Sequence, residues 1–116
     1  MPILKKPLLL AMMAVRNEAD RYLQPVLDRL GAYVDGIVIL DDASTDRTPD
    51  LCRTHPKVLR FERLVTPLFY RNEAALRRRL WELTAELSPT WILALDADEL
   101  LETSITKELP TLLTQT

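Results

Sequence analysis

The chain has 116 residues, with 15 basic against 17 acidic side chains and a formal net charge of −2. Hydrophobic residues make up 47% and charged residues 28%, which are ordinary values for a globular domain and argue against disorder. The balanced charge offers no basic excess for nucleic acid or an anionic membrane, so nucleic acid is not expected as a partner. One cysteine and one histidine, Cys52 and His55, exclude an internal disulfide framework and a multi-histidine metal centre.

An apolar segment near the start of the chain, Leu8–Val15, shows no alternation of polar and apolar residues. Such a run is typical of a strand that is covered on both faces. It is shorter than the ~20 apolar residues of a membrane helix. Arg16, Asn17 and Glu18 follow it, where a signal peptide would have a small-residue cleavage site. We therefore predict a buried strand, no membrane span and a cytoplasmic location.

Helix and strand signals then alternate along the chain. Apolar residues recur at helical spacing over Leu23–Leu30, which predicts a helix. The β-branched run Gly36–Leu40 predicts a second buried strand. A polar loop at 41–46 follows it, and Pro49 suits the first turn of a short helix after that loop.

The alternation continues in the rest of the chain. The segment 58–64 alternates apolar and charged side chains, which is typical of an edge strand or a strand with one exposed face. Asn72 is placed to cap a helix that runs to about Leu87 with a leucine stripe along it. The apolar run Trp91–Leu95 predicts a fourth strand, and an amphipathic segment follows at Ile105–Leu113.

This order of strands and helices predicts an α/β protein with an open, mostly parallel sheet and helices on both faces, of the Rossmann-like type. No internal repeat or linker interrupts it, and we treat residues 1–116 as a single domain. Trp81 and Trp91 lie inside predicted elements, so we expect both in the core rather than at a binding surface.

Carboxylates gather where the second and fourth predicted strands end. They are Asp41, Asp42 and Asp46 after one strand, and Asp96, Asp98 and Glu99 after the other. Ligands of open α/β sheets bind at this edge. Converging negative charges raise one another's pKa values unless a cation compensates them, and a hard divalent metal takes oxygen ligands. The pattern therefore predicts a metal site between the two loops.

The spacing of Asp96 and Asp98 fits such a site. Alternate side chains at the end of a strand point the same way, so both carboxylates are expected to face one place. One of them can hold the metal and the other a water or hydroxyl beside it. The small Ala97 between them leaves room for a ligand to approach.

Four motifs, taken together, resemble the inverting glycosyltransferases of family 2, whose nucleotide-binding half belongs to the GT-A fold. In chain order they are Ala-Val-Arg-Asn-Glu at 14–18, Ile-Val-Ile-Leu-Asp-Asp-Ala-Ser-Thr-Asp at 37–46, Arg-Asn-Glu at 71–73 and Leu-Asp-Ala-Asp-Glu at 95–99. The resemblance covers about residues 8–102. It implies that the chain binds a nucleotide-diphosphate sugar whose sugar is transferred to an acceptor with inversion.

The resemblance also implies roles for residues at matching positions. The residues expected to line the pocket for the nucleotide base stand at the end of the first strand and are Ala14, Val15, Arg16 and Asn17. Asp42, the second aspartate of its loop, is expected to accept hydrogen bonds from the base or the ribose. Arg71 is expected to hold the nucleotide or its phosphates, with Arg77 behind it.

The Asp-x-Asp pair is expected, by the same resemblance, to bind the ribose and the metal. Asp98 is the direct ligand of Mg²⁺ or Mn²⁺ in this interpretation, and Asp96 contacts the metal while lying nearer the ribose. A metal that bridges two phosphates neutralises the departing nucleoside diphosphate, which is Lewis-acid assistance to a leaving group.

Two departures from the family limit what the resemblance implies. The acidic loop has Ala43 where the family usually has glycine, and alanine allows less backbone freedom. In the family, the catalytic base and most of the acceptor site lie well beyond the Asp-x-Asp motif, so no catalytic residue is assigned here. We interpret residues 1–116 as a truncated transferase domain that binds the donor, is inactive alone and offers an open sheet edge for a homodimer.

Other interpretations stay open. A nucleotide-binding module without catalysis would use the same residues. A phospho-receiver signalling domain has this length and alternation, but its acidic pair follows the first strand. Asp41 and Asp42 are also common loop residues, Asn17 is a common helix cap and Arg77–Arg79 is a typical solvated face.

Overall fold

Four parallel strands and three helices alternate in the residues that the structure, a computed structural model, describes, namely 9–20, 22–69 and 71–95. In chain order these elements are β1 (Leu9–Val15), α1 (Leu23–Gly31), β2 (Gly36–Asp41), α2 (Thr48–Thr54), β3 (Val58–Arg63), α3 (Glu73–Ala85) and β4 (Trp91–Ala94). The predicted α/β class and the predicted order are thus confirmed. Helix α3 ends two residues before Leu87, and the predicted segment at 105–113 lies outside the described residues.

The strand order in the sheet is β3-β2-β1-β4, and each neighbouring pair is parallel. The chain therefore moves outward from β1 to β2 to β3, and the connection through α3 then returns it to the other side of β1. This reversal places a topological switch point beside the carboxyl end of β1, which is where open α/β sheets bind ligands. The arrangement agrees with the expected Rossmann-like sheet.

Helices cover both faces of the sheet, and this explains why the first strand is apolar at every position. One set of β1 side chains, including Ala11 and Met13, packs with buried residues of α1 and with Cys52 of α2. The alternate residue Leu10 packs on the opposite face with leucines of α3. Asn72 caps α3 as predicted, because its Oδ1 accepts the Ala75 N–H at 3.0 Å.

Strand β3 lies at one edge of the sheet, as its alternating pattern predicted. Its register against β2 shifts between the pairs Ile37–Val58 and Val38–Arg60, so Leu59 is an extra residue. This bulge lets Val58 and Phe61 pack against the same core although they are an odd number of residues apart. Leu59 is left 52% exposed.

The two tryptophans do not lie in the core, which corrects the expectation for them. Trp81 is 53% exposed and Trp91 is 41% exposed. The reason is that α3 packs over β1 and β2 rather than over β4. Among the described residues, no helix is long and apolar enough to cross a membrane.

Leu27→Ala is expected to lower the free energy of unfolding by about 2–5 kcal/mol, because it leaves a cavity in a packed core. Leu27 has no exposed surface in the core between α1 and the sheet. Urea unfolding measures the change. Val65→Ala is the control, since Val65 is 97% exposed, and it should change stability by less than about 0.5 kcal/mol. Similar losses in both variants would contradict this placement of the core.

Candidate functional site

The loops that follow β1 and β2 are joined by hydrogen bonds into one unit. The Asn17 N–H donates to Ser44 Oγ at 2.9 Å, and Asn17 Oδ1 accepts the Thr45 N–H at 2.8 Å. Thr48 Oγ1, which is fully buried, accepts the N–H groups of Glu18 at 2.9 Å and Ala19 at 3.0 Å. Asn17 therefore connects two loops, whereas the alternative interpretation expected it only to cap a helix.

The carboxyl group of Asp41 lies fully buried at the end of β2. It accepts the Ser44 N–H at 3.2 Å and the Ser44 hydroxyl, and Arg63 Nε lies 3.5 Å from its Oδ2. Arg63 also donates to the Ser44 carbonyl at 2.7 Å. Burial raises the pKa of Asp41, although the hydrogen bonds from Ser44 and the charge of Arg63 act in the opposite direction.

Asp42 is buried as well, and it binds a segment that is distant in sequence. Its Oδ1 accepts the Leu68 N–H at 2.6 Å, and its Oδ2 accepts the Phe69 N–H at 3.1 Å. Its own N–H donates to the Val15 carbonyl at 2.8 Å. The side chain expected to contact a nucleotide thus anchors the segment before α3 to the end of β2.

Ala43, the position where the sequence departs from the glycosyltransferase pattern, has a φ of 59°. This is the left-handed region, in which the Cβ of alanine is strained and glycine is not. The turn is therefore the glycine-favouring one despite the substitution. Asn17 shares this backbone region with a φ of 52°, and asparagine tolerates it better than most residues.

A cavity of about 470 Å³ opens at the carboxyl ends of β1 and β2. Five of the predicted nucleotide-binding residues line it: Ala14, Val15, Arg16, Asn17 and Asp42. Glu18, Phe69 and Leu76 complete its wall. The Nε of Arg16 is buried and has no hydrogen-bond partner in the part of the chain that the structure describes.

The other predicted site residues are not brought into this cavity. Arg71 is exposed in the turn before α3 and does not line it. Arg77 pairs with Glu73 at 2.9 Å on the exposed side of α3, which agrees with a solvated face. Asp96 and Asp98, with the predicted metal site, lie outside the described residues.

The described acidic loop does not fit a metal ion. Asp41 and Asp42 accept hydrogen bonds as described above, and Asp46 Oδ1 accepts the Thr48 N–H at 2.8 Å. Within residues 9–20, 22–69 and 71–95, no group of three or more His, Cys, Asp or Glu is placed to hold a metal. The sequence predicted that a metal ion compensates the negative charges of this loop. In the structure, N–H groups, a hydroxyl group and Arg63 compensate them instead. The metal prediction now rests on Asp96 and Asp98 alone.

A second cavity, of about 680 Å³, adjoins the first along α3. Its wall combines apolar residues of β1, β4 and α3 with Arg77, Arg78 and Trp81. Ala14, Phe69 and Leu76 line both cavities. Phe69 therefore lies where the two cavities border each other, and we call this border the seam of the cleft. Sequence reasoning missed this residue, since it belongs to no motif and lies in a connection between elements.

The single cysteine takes no part in the cleft. Cys52 is fully buried in the core below α2. Burial raises the pKa of its thiol to about 12, so the thiol stays protonated.

No protein-family model matches the chain. Two uncharacterized proteins, one from Mycobacterium tuberculosis and one from Mycobacterium bovis, are each 35% identical to it over 102 residues. The match takes in 84% of this chain and 25% of each relative, so the chain spans about a quarter of the length of the curated relatives it matches. The fold and site define an open parallel α/β protein with a polar cleft at its strand ends, and the resemblance to family 2 glycosyltransferases stays a prediction.

Ala43→Gly is expected to raise the free energy of unfolding by about 1 kcal/mol, because glycine adopts the left-handed conformation without a Cβ clash. Ala85→Gly, at the exposed end of α3, is the matched control and should lower it by up to about 1 kcal/mol. Chemical denaturation gives both values. A loss of stability at position 43 would contradict the backbone conformation described above.

Asp41 and Glu62 are expected to make stability depend on pH in opposite directions. Burial raises the folded-state pKa of Asp41. Asp41 therefore makes its full contribution to the free energy of unfolding at pH values below its pKa in the unfolded chain. This contribution is lost as pH rises through its pKa in the folded protein. The hydrogen bonds from Arg79 lower the pKa of Glu62. That contribution is present above the unfolded pKa and is lost as pH falls through the folded one.

Urea unfolding of the wild type, Asp41→Asn and Glu62→Gln from about pH 3 to pH 6 measures both contributions. The stability of the wild type relative to Asp41→Asn should fall as pH rises. Relative to Glu62→Gln it should increase over the same range. An increase in both differences would show that burial does not dominate at Asp41, and a fall in both would contradict the lowered pKa of Glu62.

Proposed function

We propose that this chain binds the nucleotide of a nucleotide-diphosphate sugar, as the donor-binding part of an inverting glycosyltransferase of family 2. The observation that supports this most directly is that five residues chosen from the sequence as nucleotide-binding line one cavity. That cavity lies at the carboxyl ends of parallel strands beside a topological switch point, the usual ligand position in such sheets.

The wall of the cavity suits a nucleoside in its chemistry. Ala14, Leu76 and Phe69 offer apolar surface for the face of a base. Arg16 brings a positive charge and a buried N–H donor whose hydrogen bond is unmade within the described residues. A buried donor without an acceptor is costly, so an acceptor oxygen or nitrogen of a ligand would stabilise it.

The sugar transfer itself belongs to the proposal for a longer protein. No described residue is assigned as the base that deprotonates the acceptor, so the proposal for this chain is limited to binding of the nucleotide. Asp98 and Asp96 would hold Mg²⁺ or Mn²⁺, which when bound neutralises phosphate charge. A cytoplasmic location and a homodimer are further parts of the proposal.

Calorimetric titration of the chain with UDP, GDP and dTDP, with and without Mn²⁺ or Mg²⁺, tests the proposal. At least one nucleotide should bind, and more tightly with the metal. The preferred nucleotide also identifies the base. Folded protein that binds none of the three at millimolar concentration would contradict the proposal.

Substitutions locate the binding site. Arg16→Ala should weaken nucleotide binding about tenfold or more, because a charged donor to the ligand is lost. Asp98→Asn should remove the dependence on metal. Arg29→Ala is the control, since Arg29 is exposed on α1 and lines no part of the cavity. A loss of affinity in the control that matches Arg16→Ala would show that overall charge, not the cavity, attracts the nucleotide.

A further inference from the structure

Asp42 is committed to the backbone of another segment. It is only 2% exposed, and each of its carboxylate oxygens already accepts a backbone N–H, from Leu68 and Phe69. Its own main chain is fixed by the bond to the Val15 carbonyl. Hydrogen bonds to an ionised carboxylate are among the stronger ones in proteins. Asp42 is therefore a rigid anchor for residues 68 and 69.

The anchored segment is held from other sides as well. The Leu64 N–H donates to the Asp41 carbonyl at 2.8 Å, and the Leu68 carbonyl accepts the N–H groups of Arg71 at 3.0 Å and Asn72 at 2.7 Å. Leu68 also packs against the core beneath α3. Phe69 is left 45% exposed at the seam of the two cavities.

A half-exposed aromatic ring in a cleft offers a flat surface to a planar ligand. Stacking of a base on an aromatic side chain changes affinity by about five- to a hundredfold and tolerates every base, since each base has a π-face. The ring contributes this gain in full when it is ordered before binding, because ordering a free side chain would offset part of it. The two hydrogen bonds of Asp42 fix the backbone from which the ring projects.

We propose that Asp42 is a positioning residue and that the Phe69 ring, which it holds at the seam of the cleft, is the surface on which the base of the bound nucleotide stacks. This rests on the proposed function. It differs from the role that the family resemblance implied for Asp42, because the carboxylate then acts through Phe69 and not on the edge of the base.

UDP and CDP separate these two roles. Their rings have the same size, but N3 of uracil donates a hydrogen bond where N3 of cytosine accepts one. A carboxylate that touches the base edge distinguishes them, so Asp42→Asn would change the ratio of the two affinities. A carboxylate that only positions Phe69 leaves this ratio unchanged, and Asp42→Asn should weaken both ligands by the same factor.

A double-mutant cycle on the whole chain, titrated with UDP and CDP in the presence of Mn²⁺, tests the coupling. Phe69→Leu should weaken both ligands about five- to a hundredfold. Phe69→Trp should retain binding, because it keeps a stacking surface. Asp42→Asn combined with Phe69→Leu should bind no worse than Phe69→Leu alone, since no ring is left to position. Tyr33→Leu, at an exposed aromatic outside both cavities, is the control.

Amide hydrogen exchange without nucleotide provides a readout that does not depend on the proposed function. Asp42→Asn should lower the protection of the Leu68 and Phe69 amides about tenfold or more, whereas Asp50→Asn, on the exposed surface of α2, should not. The same data report whether Asp42→Asn is folded. If it is not, Phe69→Leu and Phe69→Trp still test the stacking surface.

Three results would overturn the inference while leaving the proposed function intact. The first is full UDP affinity in Phe69→Leu, and the second is a changed ratio of UDP to CDP affinity in Asp42→Asn. The third is a loss of affinity in the double variant that equals the product of the losses in the two single variants. Unchanged protection of the Leu68 and Phe69 amides in Asp42→Asn would overturn the positioning role directly. If the wild-type chain prefers GDP or dTDP, the Phe69 variants are titrated with that nucleotide, and full affinity in Phe69→Leu overturns the inference in the same way. A folded wild-type chain that binds none of UDP, CDP, GDP and dTDP would instead overturn the proposed function and the stacking role with it.

Discussion

The buried carboxyl group of Asp41 is the constraint on which the geometry of the cleft depends. A carboxyl without water around it must be surrounded by donors or remain protonated. Ser44 supplies two of those donors, and it can do so only if the chain turns back immediately after β2. The left-handed conformation of Ala43 is a direct result of that turn. A strained residue is tolerated because the buried hydrogen bonds around it outweigh its cost.

The position of Ser44 then determines how the neighbouring loop is placed. With its hydroxyl hydrogen directed to Asp41, the Ser44 oxygen is free to accept the Asn17 N–H. Thr48 fixes the residues that follow in the same way. Both loops use their polar side chains mainly to hold each other's backbone. The walls of the cavity are therefore formed before any ligand arrives, which lowers the entropy that a ligand must offset on binding.

The fold was predictable from the sequence because periodicity of hydrophobic residues carries most of the information. The uninterrupted apolar run of β1 reflects burial on both faces, and the alternation in β3 reflects its edge position. The exposure of Trp81 was not predictable, because the sequence does not say which strands a helix will cover. A side chain can lie inside a helix and still face an uncovered part of the sheet.

The location of the cleft was predictable from the sequence, but the hydrogen-bond partners of its aspartate side chains were not. The resemblance to family 2 glycosyltransferases implied that residues 14–17 and Asp42 share one pocket, and parallel strands do bring their carboxyl ends to one edge of the sheet. Asp42 instead meets the N–H groups of Leu68 and Phe69, which are 26 and 27 residues away in the chain. Backbone donors carry no side-chain signature, and their position depends on the strand order and on the turn before α3. No sequence pattern could have revealed them.

The charges of the described cleft therefore differ from those that the sequence suggested. Six carboxylates appeared to need a cation, but the three in the described loop are satisfied by N–H groups, a hydroxyl and Arg63. Among the buried side-chain nitrogen and oxygen atoms of the described residues, the one without a hydrogen-bond partner is a donor, the Nε of Arg16. A site with a spare positive donor and an apolar ring favours a ligand with acceptor atoms and a flat face. The described cleft therefore offers the groups that the proposed nucleotide would use, and the metal prediction rests on Asp96 and Asp98.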